Sequence, residues 1–395
     1  MICSSTELGL PKINDGIMIL DESIGKLEIG KPLCEYPLIN DDVIEIGLTP
    51  NRGDCQSIYG VARDLSVYFD LEVKTLGNKE EEENQPGVGR VLHLHGSEAL
   101  DGSYMYKVFD NKEIDVPLLI QLRLGFAEID NSCLLGKLID YSTYVTGVLL
   151  RAYNQSCFGA KDEKAKIAIA KDENGLDAIF GLNGQKVAIT GITQIVECKA
   201  TAMDERIIVE ANYTHPEIIA SRSANKKLGG DKHLYRSSRG SEPHLAFGLN
   251  YFFKMLTKRS QVMPYADSQQ ITQDFEEKII NIHQSELTQM IGEEIPKSRI
   301  IKILKHLGFG VNFAFEQDVM NVKIPQFRSD VLNTQDICEE IVRIVGIDNI
   351  TSKPFVFAEQ LKINQPYLNF KKRQMYRHRA VSAGFFETLH FVFDD

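Results

Sequence analysis

Between Gly77 and Gly89 the sequence loses every mark of a packed core, and this interruption constrains the fold more than any other feature. The stretch Lys79-Glu-Glu-Glu-Glu-Asn84 is acidic, polar and without periodicity, as a solvated linker is. A chain of 395 residues interrupted there is not built round one core, and about 100–200 residues per domain gives a prior of two to four domains. Upstream, Met1 to about Leu38 mixes Gly, Pro and short apolar pieces. Gly16-Ile-Met-Ile-Leu20 predicts a strand between turns, but the segment has too few strands to fold alone. Next, Val43 to Leu48 predicts a strand and Thr49-Pro-Asn-Arg-Gly-Asp-Cys55 a polar turn. Ile58, Val61, Ala62 and Leu65 then recur at helical spacing.

Downstream, residues 85–263 carry repeated short strand patterns, among them Lys166 to Ala170, Lys186 to Ile192 and Arg206 to Glu210. Helices near Pro216 to Leu228 and Pro243 to Lys258 close an α+β domain. Residues 268–352 open with a strand at Lys278 to Ile282 and continue into a helix with Ile300, Ile301, Ile303, Leu304 and Leu307 on one face. Ser298 is its expected N-cap and Gly308 its expected C′ glycine. Strand Val319 to Ile324 and helix Gln335 to Val345 complete the module. From 353 to 395 a basic helix with Lys371, Lys372, Arg373, Arg377 and Arg379 leads to a strand-like Thr388-Leu-His-Phe-Val-Phe393. The chain stops inside that run, which predicts a piece of a longer protein.

Composition removes whole classes. No apolar run nears the roughly 20 residues that span a bilayer, and the start has no basic then apolar leader, so no membrane partner and no secretion are expected. A net charge of −11 disfavours indiscriminate binding to nucleic acid, though a local basic face stays open. The seven cysteines are scattered without zinc-ligand spacing and read as reduced, mostly structural thiols of a cytoplasmic protein.

The strongest chemical constellation is Arg328-Ser-Asp-Val-Leu-Asn-Thr-Gln-Asp-Ile-Cys-Glu-Glu340. With Asn333 or Thr334 as cap, Asp336, Glu339 and Glu340 lie at i, i+3 and i+4, and Asp330 can fold back toward them. Such hard oxygen donors suit Mg²⁺ or Ca²⁺. The alternative is an acidic helix start that the macrodipole favours without an ion. In Thr49 to Cys55, Asn51 and Asp54 are expected to bond nearby backbone while Arg52 reaches outward, chiefly as a cap for the following helix. Glu210 ends a strand-like run, where a carboxylate is either catalytic or merely solvated. His215 and His233 read as surface or hydrogen-bonded histidines, and Arg236-Ser-Ser-Arg-Gly240 and the basic helix are potential phosphate contacts.

The segment Thr49 to Ser57 with Gly60-Val-Ala-Arg63 matches TPNRGDCxSxxGxAR, and Ile324 to Asp330 with Asp336 to Gly346 matches VPxxRxDixxxxDLiEEvaRiyG. Leu304 with Leu307-Gly-Phe309 matches iLxxLGF, and Met1 to Leu10 is similar to GMxCSxxELGL. In this order the motifs resemble the β subunits of bacterial phenylalanine–tRNA ligases. The resemblance implies an α+β, multi-domain chain. Residues 1–38 would be the end of a tRNA-binding OB-fold, and 39–84 the strand-loop-helix unit with its acidic linker. Residues 85–263 would be an editing-type, tRNA-binding domain. A small winged or helix-turn-helix-like module would occupy 268–352, and the start of a class II synthetase-like α/β domain 353–395.

The resemblance further implies a half of an α₂β₂ ligase that joins phenylalanine to tRNA-Phe with ATP. The ATP and phenylalanine sites belong to the α subunit, so this piece alone is expected not to aminoacylate. Asp330, Asp336, Glu339 and Glu340 stand where the family holds a Mg²⁺ shared with α. The family's β chain also hydrolyses tyrosine wrongly attached to the tRNA, a second sieve for an isostere with one extra hydroxyl. Its editing text, DxxNYVMxExGxPxHAFD with AGxMGG, LExAxF and TxASxRFERGxDP, is kept here at Asp140, Tyr144, Val145, Gly191, Glu210, Arg236, Arg239 and Gly240. It is lost at Thr143 for the asparagine, Arg151 for the histidine, Gln194 in the glycine turn and His233 for a small alanine. Arginine is no general base near neutral pH and an imidazole crowds the pocket, so editing is expected to be weak, altered or absent. Glu210 is the retained editing acid, and Thr143, Arg151, Gly191 and His233 mark the degenerate pocket. Two other readings compete: a stand-alone tRNA-binding or trans-editing hydrolase, and a purely architectural subunit.

Overall fold

The computed structural model describes residues 3–76, 85–97, 99–160, 162–223, 229–314, 319–354 and 363–388. The chain divides into a unit Met1–Ile350 and a unit Thr351–Asp395. The acidic run 79–84 and the strand-like residues 389–393 lie outside the described residues.

In the first unit, helix α1 (Ile58–Phe69) starts where the Ser57 hydroxyl accepts the Gly60 N–H at 3.0 Å, so Ser57 is the cap, not Asn51 or Asp54. It is followed by β1 (Leu92–Gly96), β2 (Gly102–Glu113), α2 (Leu118–Phe126), α3 (Leu134–Thr146), β3 (Leu149–Asn154), β4 (Ala165–Lys171), β5 (Asp177–Phe180), β6 (Lys186–Ile189), β7 (Thr193–Gln194) and β8 (Arg206–Thr214). Then come α4 (Pro216–Ser223), α5 (Lys232–Ser237), α6 (Leu245–Arg259), β9 (Gln261–Pro264) and β10 (Gln269–Ile271). One sheet has the order β1-β4-β5-β6-β7, with only its β1–β4 pair parallel; the other has the order β10-β2-β8-β3, with β9 also on β2.

The strands β2, β8 and β3 are buried on both faces because their residues alternate between two cores. Phe109, Leu150, Ala152, Ile207, Val209 and Ala211 face the core shared with α3 and α6. Between them, Tyr104, Tyr106, Val108, Tyr153 and Ile208 pack with Ile167, Ile169 and Ile179 of the other sheet. Such doubly covered strands show little polar alternation, and β8 accordingly runs four residues beyond the Glu210 expected to end it. Cys157 and Cys198 are disulfide-bonded with Cα atoms 5.8 Å apart, so the expectation of seven reduced thiols is corrected at this pair. The fold brings together two cysteines that 41 residues separate in sequence.

The small module is a three-stranded antiparallel sheet with three helices: β11 (Ile279–His283), α7 (Gln284–Ile291), α8 (Lys297–His306), β12 (Gly310–Ala314), β13 (Val319–Lys323) and α9 (Thr334–Val345). Its sheet has the order β11-β13-β12, and its core includes Ile300, Leu304, Val322, Ile337 and Ile341. Helix α8 is preceded by Pro296 with no side-chain cap, so Ser298 is not the cap; it lies inside the first turn. Its end is the expected one. Gly308 has φ +89°, and the Gly308 and Phe309 N–H groups bond Lys305 and Leu304 as in a Schellman motif. Val67 of α1 joins the module's core, and Lys302 pairs with Asp70, so α1 is bound to this module as well as to the larger domain.

Two sequence-predicted strands do not form. Gly16–Leu20 and Val43–Leu48 lie in irregular backbone; Val43, Ile44 and Ile46 are exposed and their peptide groups find no ladder. The residues before α1 form short 3₁₀ turns that pack Ile24 and Tyr36 on Leu118 and Leu122, with no strand of an OB-fold among those described. In the second unit the basic helix is present as α10 (Gln365–Ser382), capped by Asn364 and with no buried residue; no strand is among that unit's described residues.

Candidate functional site

Two places in the first unit hold most of the site residues expected from sequence. At the first, the loop before α1 meets α9. The Arg52 guanidinium turns inward, contrary to the sequence expectation, and donates to Asp54 at 3.0 Å and to Asp64 at 3.0 Å. Arg343 donates to both oxygens of Asp64 at 3.0 and 3.1 Å, sharing Oδ2 with Arg52, and to Glu340 at 2.5 Å. Arg328, 2% exposed, closes the series with pairs of bonds to Glu340 (2.7 and 2.8 Å) and Asp330 (2.8 and 2.9 Å). Asp54, Arg52, Asp64, Arg343, Glu340, Arg328 and Asp330 thus form one chain of alternating charge. Burial alone would raise the Glu340 carboxyl, but the bonds from Arg328 and Arg343 overcome it and hold it down at about 2. Burial beside the Asp54 carboxylate pushes the Cys55 thiol up to about 12, so it is no thiolate nucleophile.

This geometry separates the four carboxylates expected to bind Mg²⁺. Their chemistry suits a hard cation, but Asp330 and Glu340 already share Arg328. Asp336 completes a capping box, its oxygen accepting the N–H groups of Leu332 and Asn333 at 2.6 and 3.0 Å. Glu339 is exposed and Glu340 buried, because adjacent helical residues point about 100° apart. Asp336, Glu339 and Glu340 keep the i, i+3, i+4 spacing on α9, but Asp336 is engaged in the cap, Glu340 is buried on Arg328 and Arg343, and Glu339 is exposed. Among the described residues, the only group with ligand atoms mutually within 4.8 Å is Asp54, Cys55 and Asp64, with the Arg52 cation already bonded to it. As placed, the expected quartet does not fit a divalent ion.

At the second place, a cavity of about 520 Å³ is lined by Arg151, Gln194, Lys199, Asp231, Lys232 and His233, among others. Arg151, 4% exposed, makes a two-pronged pair with Asp231, the N-cap of α5, at 2.7 and 3.0 Å. His233 is buried, not at the surface; burial and the neighbouring Arg151 hold its pKa well below the usual value, and its Nδ1 has no partner. Lys232 pairs with Asp140, and Gln194 donates to the Ala152 carbonyl at 2.9 Å. Thr143, Gly191 and Glu210 do not line this cavity. The Thr143 hydroxyl accepts the Leu150 N–H, and Gly191, at φ +68°, lies against Ser237, which bonds its carbonyl. Arg236 donates one guanidinium N–H to the Gln56 carbonyl at 2.6 Å.

Glu210 is neither solvated nor at a strand end. It lies in the middle of β8, fully buried, with Oε2 accepting the Tyr153 hydroxyl at 2.5 Å and Oε1 the Asn212 amide at 2.8 Å. Burial raises its pKa, against the pull of Tyr153 and Arg151. Tyr153 escaped the sequence reading. Its only signal there is the alternation that sets it on the face of Arg151, two residues before it. Asp64 and Arg343 escaped because their pairing crosses 279 residues, although Glu340 and Arg343 stand at helical i, i+3 spacing.

Comparison with known proteins places this geometry in context. The tRNA synthetase B5 domain matches residues 280–347, the small module. The whole chain aligns with beta subunits of phenylalanine–tRNA ligase, at 42% identity in Wolinella succinogenes and 43% in Campylobacter jejuni, and covers 51% of each. A crystal structure of an N-terminal fragment of the phenylalanyl-tRNA synthetase beta subunit from Pyrococcus horikoshii aligns with 75% of this chain and 84% of that one. Its 13% identity and TM-score of 0.35 are too low to place individual elements. The chain spans about half the length of the curated relatives it matches, and over that span it is similar to phenylalanine–tRNA ligase beta subunits.

Proposed function

We propose that this chain supports the ATP-dependent attachment of phenylalanine to tRNA-Phe as the β part of an α₂β₂ ligase in the cytoplasm. Its own role is to hold the partner chain and the tRNA. The observation that carries this is the alternating charge chain from Asp54 to Asp330. It fastens the loop before α1 to the small module, and both ends lie in the motifs that relate the chain to the family. A frame bound so firmly suits positioning more than turnover. No helix among the described residues is long and apolar enough to cross a membrane. The Mg²⁺ and ATP of the reaction belong to the assembled enzyme in this reading, and no step is routed through Asp330, Asp336, Glu339 or Glu340 as they stand.

Within the same reading the domain of residues 85–263 is an editing domain that has lost its hydrolytic chemistry. Arg151 is tied to Asp231 and is no base, His233 fills space, and Glu210 is sealed. This favours an architectural part over a free hydrolase. The test is the complete heterotetramer. It should charge tRNA-Phe, the present chain alone should not, and Tyr-tRNA should decay at the uncatalysed rate. Deacylation well above that rate would overturn the loss of editing.

A further inference from the structure

Cys157 and Cys198 are bonded to each other, whereas Cys3, Cys34, Cys55, Cys133 and Cys338 are free. In the cytoplasm proposed above, thiol reductants keep most cysteines reduced, so a bond there is one that forms and breaks. Cys157 ends a 3₁₀ turn, Gln155–Cys157, just after β3. The Asn154 side chain caps that turn, and the Gln155 amide ties it to the Ala160 and Glu163 carbonyls, each at 3.0 Å. Cys198 ends a second turn, Val196–Cys198. The Ala200 N–H, bonded to the Ala152 carbonyl at 3.1 Å, and the Tyr153–Lys199 bridge lay that turn beside β3. Backbone bonding on both sides thus brings the two cysteines to a Cα separation of 5.8 Å, within the span of a disulfide.

The strands β4, β5, β6 and β7 all lie between the two cysteines, so the bond closes this stretch at its base. Val196 and Lys199, close to Cys198 in sequence, line the cavity at Arg151. The same bond therefore fixes one wall of that cavity. Exposure sets the order of reaction: Cys157 is partly exposed and meets a small oxidant first, while Cys198 is 1% exposed and stands behind it.

We propose that Cys157 and Cys198 are a reversible redox pair: a hydroperoxide joins them, and the bond clasps the β4–β7 stretch and fixes the cavity wall at Val196 and Lys199. The Cys157 sulfur, its proton lost, attacks one peroxide oxygen. The O–O bond breaks, one water leaves, and Cys157 becomes a sulfenic acid. The Cys198 sulfur gives up its proton and attacks the Cys157 sulfur; the S–S bond forms, the S–O bond breaks, and a second water leaves. The two thiols lose two electrons and the peroxide gains them. Glutathione reverses the step by thiol–disulfide exchange, two glutathione molecules leaving as their own disulfide.

The experiment takes the reduced chain, exposes it briefly to hydrogen peroxide and then to reduced glutathione. Maleimide labelling in denaturant with peptide mass spectrometry counts and locates the thiols. Seven cysteines should label before peroxide, five after it with a Cys157–Cys198 cross-linked peptide, and seven again after glutathione. In Cys198→Ala, dimedone should trap a sulfenic acid on Cys157. On oxidation of the wild type, amide hydrogen exchange across residues 194–200 should slow about tenfold and the melting temperature rise by roughly 5 °C. Neither change should occur in Cys157→Ser or Cys198→Ala. Absence of the cross-link after peroxide overturns the proposal, as does a cross-link that resists glutathione, which would be a permanent brace. A reversible cross-link that leaves exchange across 194–200 unchanged overturns the clasp.

Discussion

Arg343 grips Asp64 with two guanidinium nitrogens at 3.0 and 3.1 Å, joining α9 to α1 across 279 residues of sequence. The Asp64 carboxylate lies between this arginine and Arg52, so it is the middle link between the loop before α1 and the small module. Removing it leaves two partly buried cations facing each other.

Replacing Asp64 by Asn should therefore destabilise the chain by about 1–3 kcal/mol, less than a fully buried pair because the carboxylate is partly exposed. Urea unfolding measures this. A double-mutant cycle with Arg343→Met should return a coupling of roughly 0.5–3 kcal/mol, and additivity would contradict the link.

The Glu340 carboxyl sits at about 2 in the folded chain, below its ordinary value of 4.5. A depressed acid pKa contributes stability that is present above the unfolded pKa and is lost as pH falls through the folded one. The window is about pH 5 to 2. Urea midpoints should fall more steeply across the accessible part of that window in the wild type than in Glu340→Gln.

Because Arg328 already neutralises Asp330 and Glu340, divalent ions should be dispensable to the isolated chain. Neither a chelator nor added Mg²⁺ should move the wild-type melting temperature. In Arg328→Met the carboxylates lose their internal cation, and Mg²⁺ should then raise the melting temperature of a chain destabilised by about 3–5 kcal/mol.

Gly53 sits so close to the Arg239–Gly240 backbone that a Cβ would come 2.1 Å from the Arg239 carbonyl oxygen. Gly53→Ala should cost about 1–3 kcal/mol or more by forcing the loop away. At Gly47 a Cβ would meet nothing within 4 Å, and Gly47→Ala should stay within roughly 0.5 kcal/mol in the same urea assay.

Much of the local structure was legible in the sequence. The Ser57 to Leu65 helix, the Asn333 cap and the Gly308 terminus follow from side-chain chemistry acting over one turn. Helices α8 and α9 follow from apolar periodicity, which the core of Ile300, Leu304 and Ile337 satisfies. Strands read less well. Val43 to Leu48 has the right alternation but no neighbour to bond, and Glu210 looked like a strand end because β8 is covered on both faces.

What the sequence determined by itself is thus helices α1, α6, α8, α9 and α10, the Asn333 cap, the Gly308 terminus, and the motifs shared with phenylalanine–tRNA ligase beta subunits. Which charges meet was decided only by tertiary structure. Asp330, Asp336, Glu339 and Glu340 look like one ligand set along the chain, yet Arg328 and a capping box divide them. Glu210 and Tyr153 carry no shared mark in the sequence, yet β-sheet register brings a phenol and a carboxylate into contact. Spacing fixes neighbours along a helix because the backbone is local and regular. The partner of a buried charge is set by long-range packing, where burial penalises every charge left unpaired.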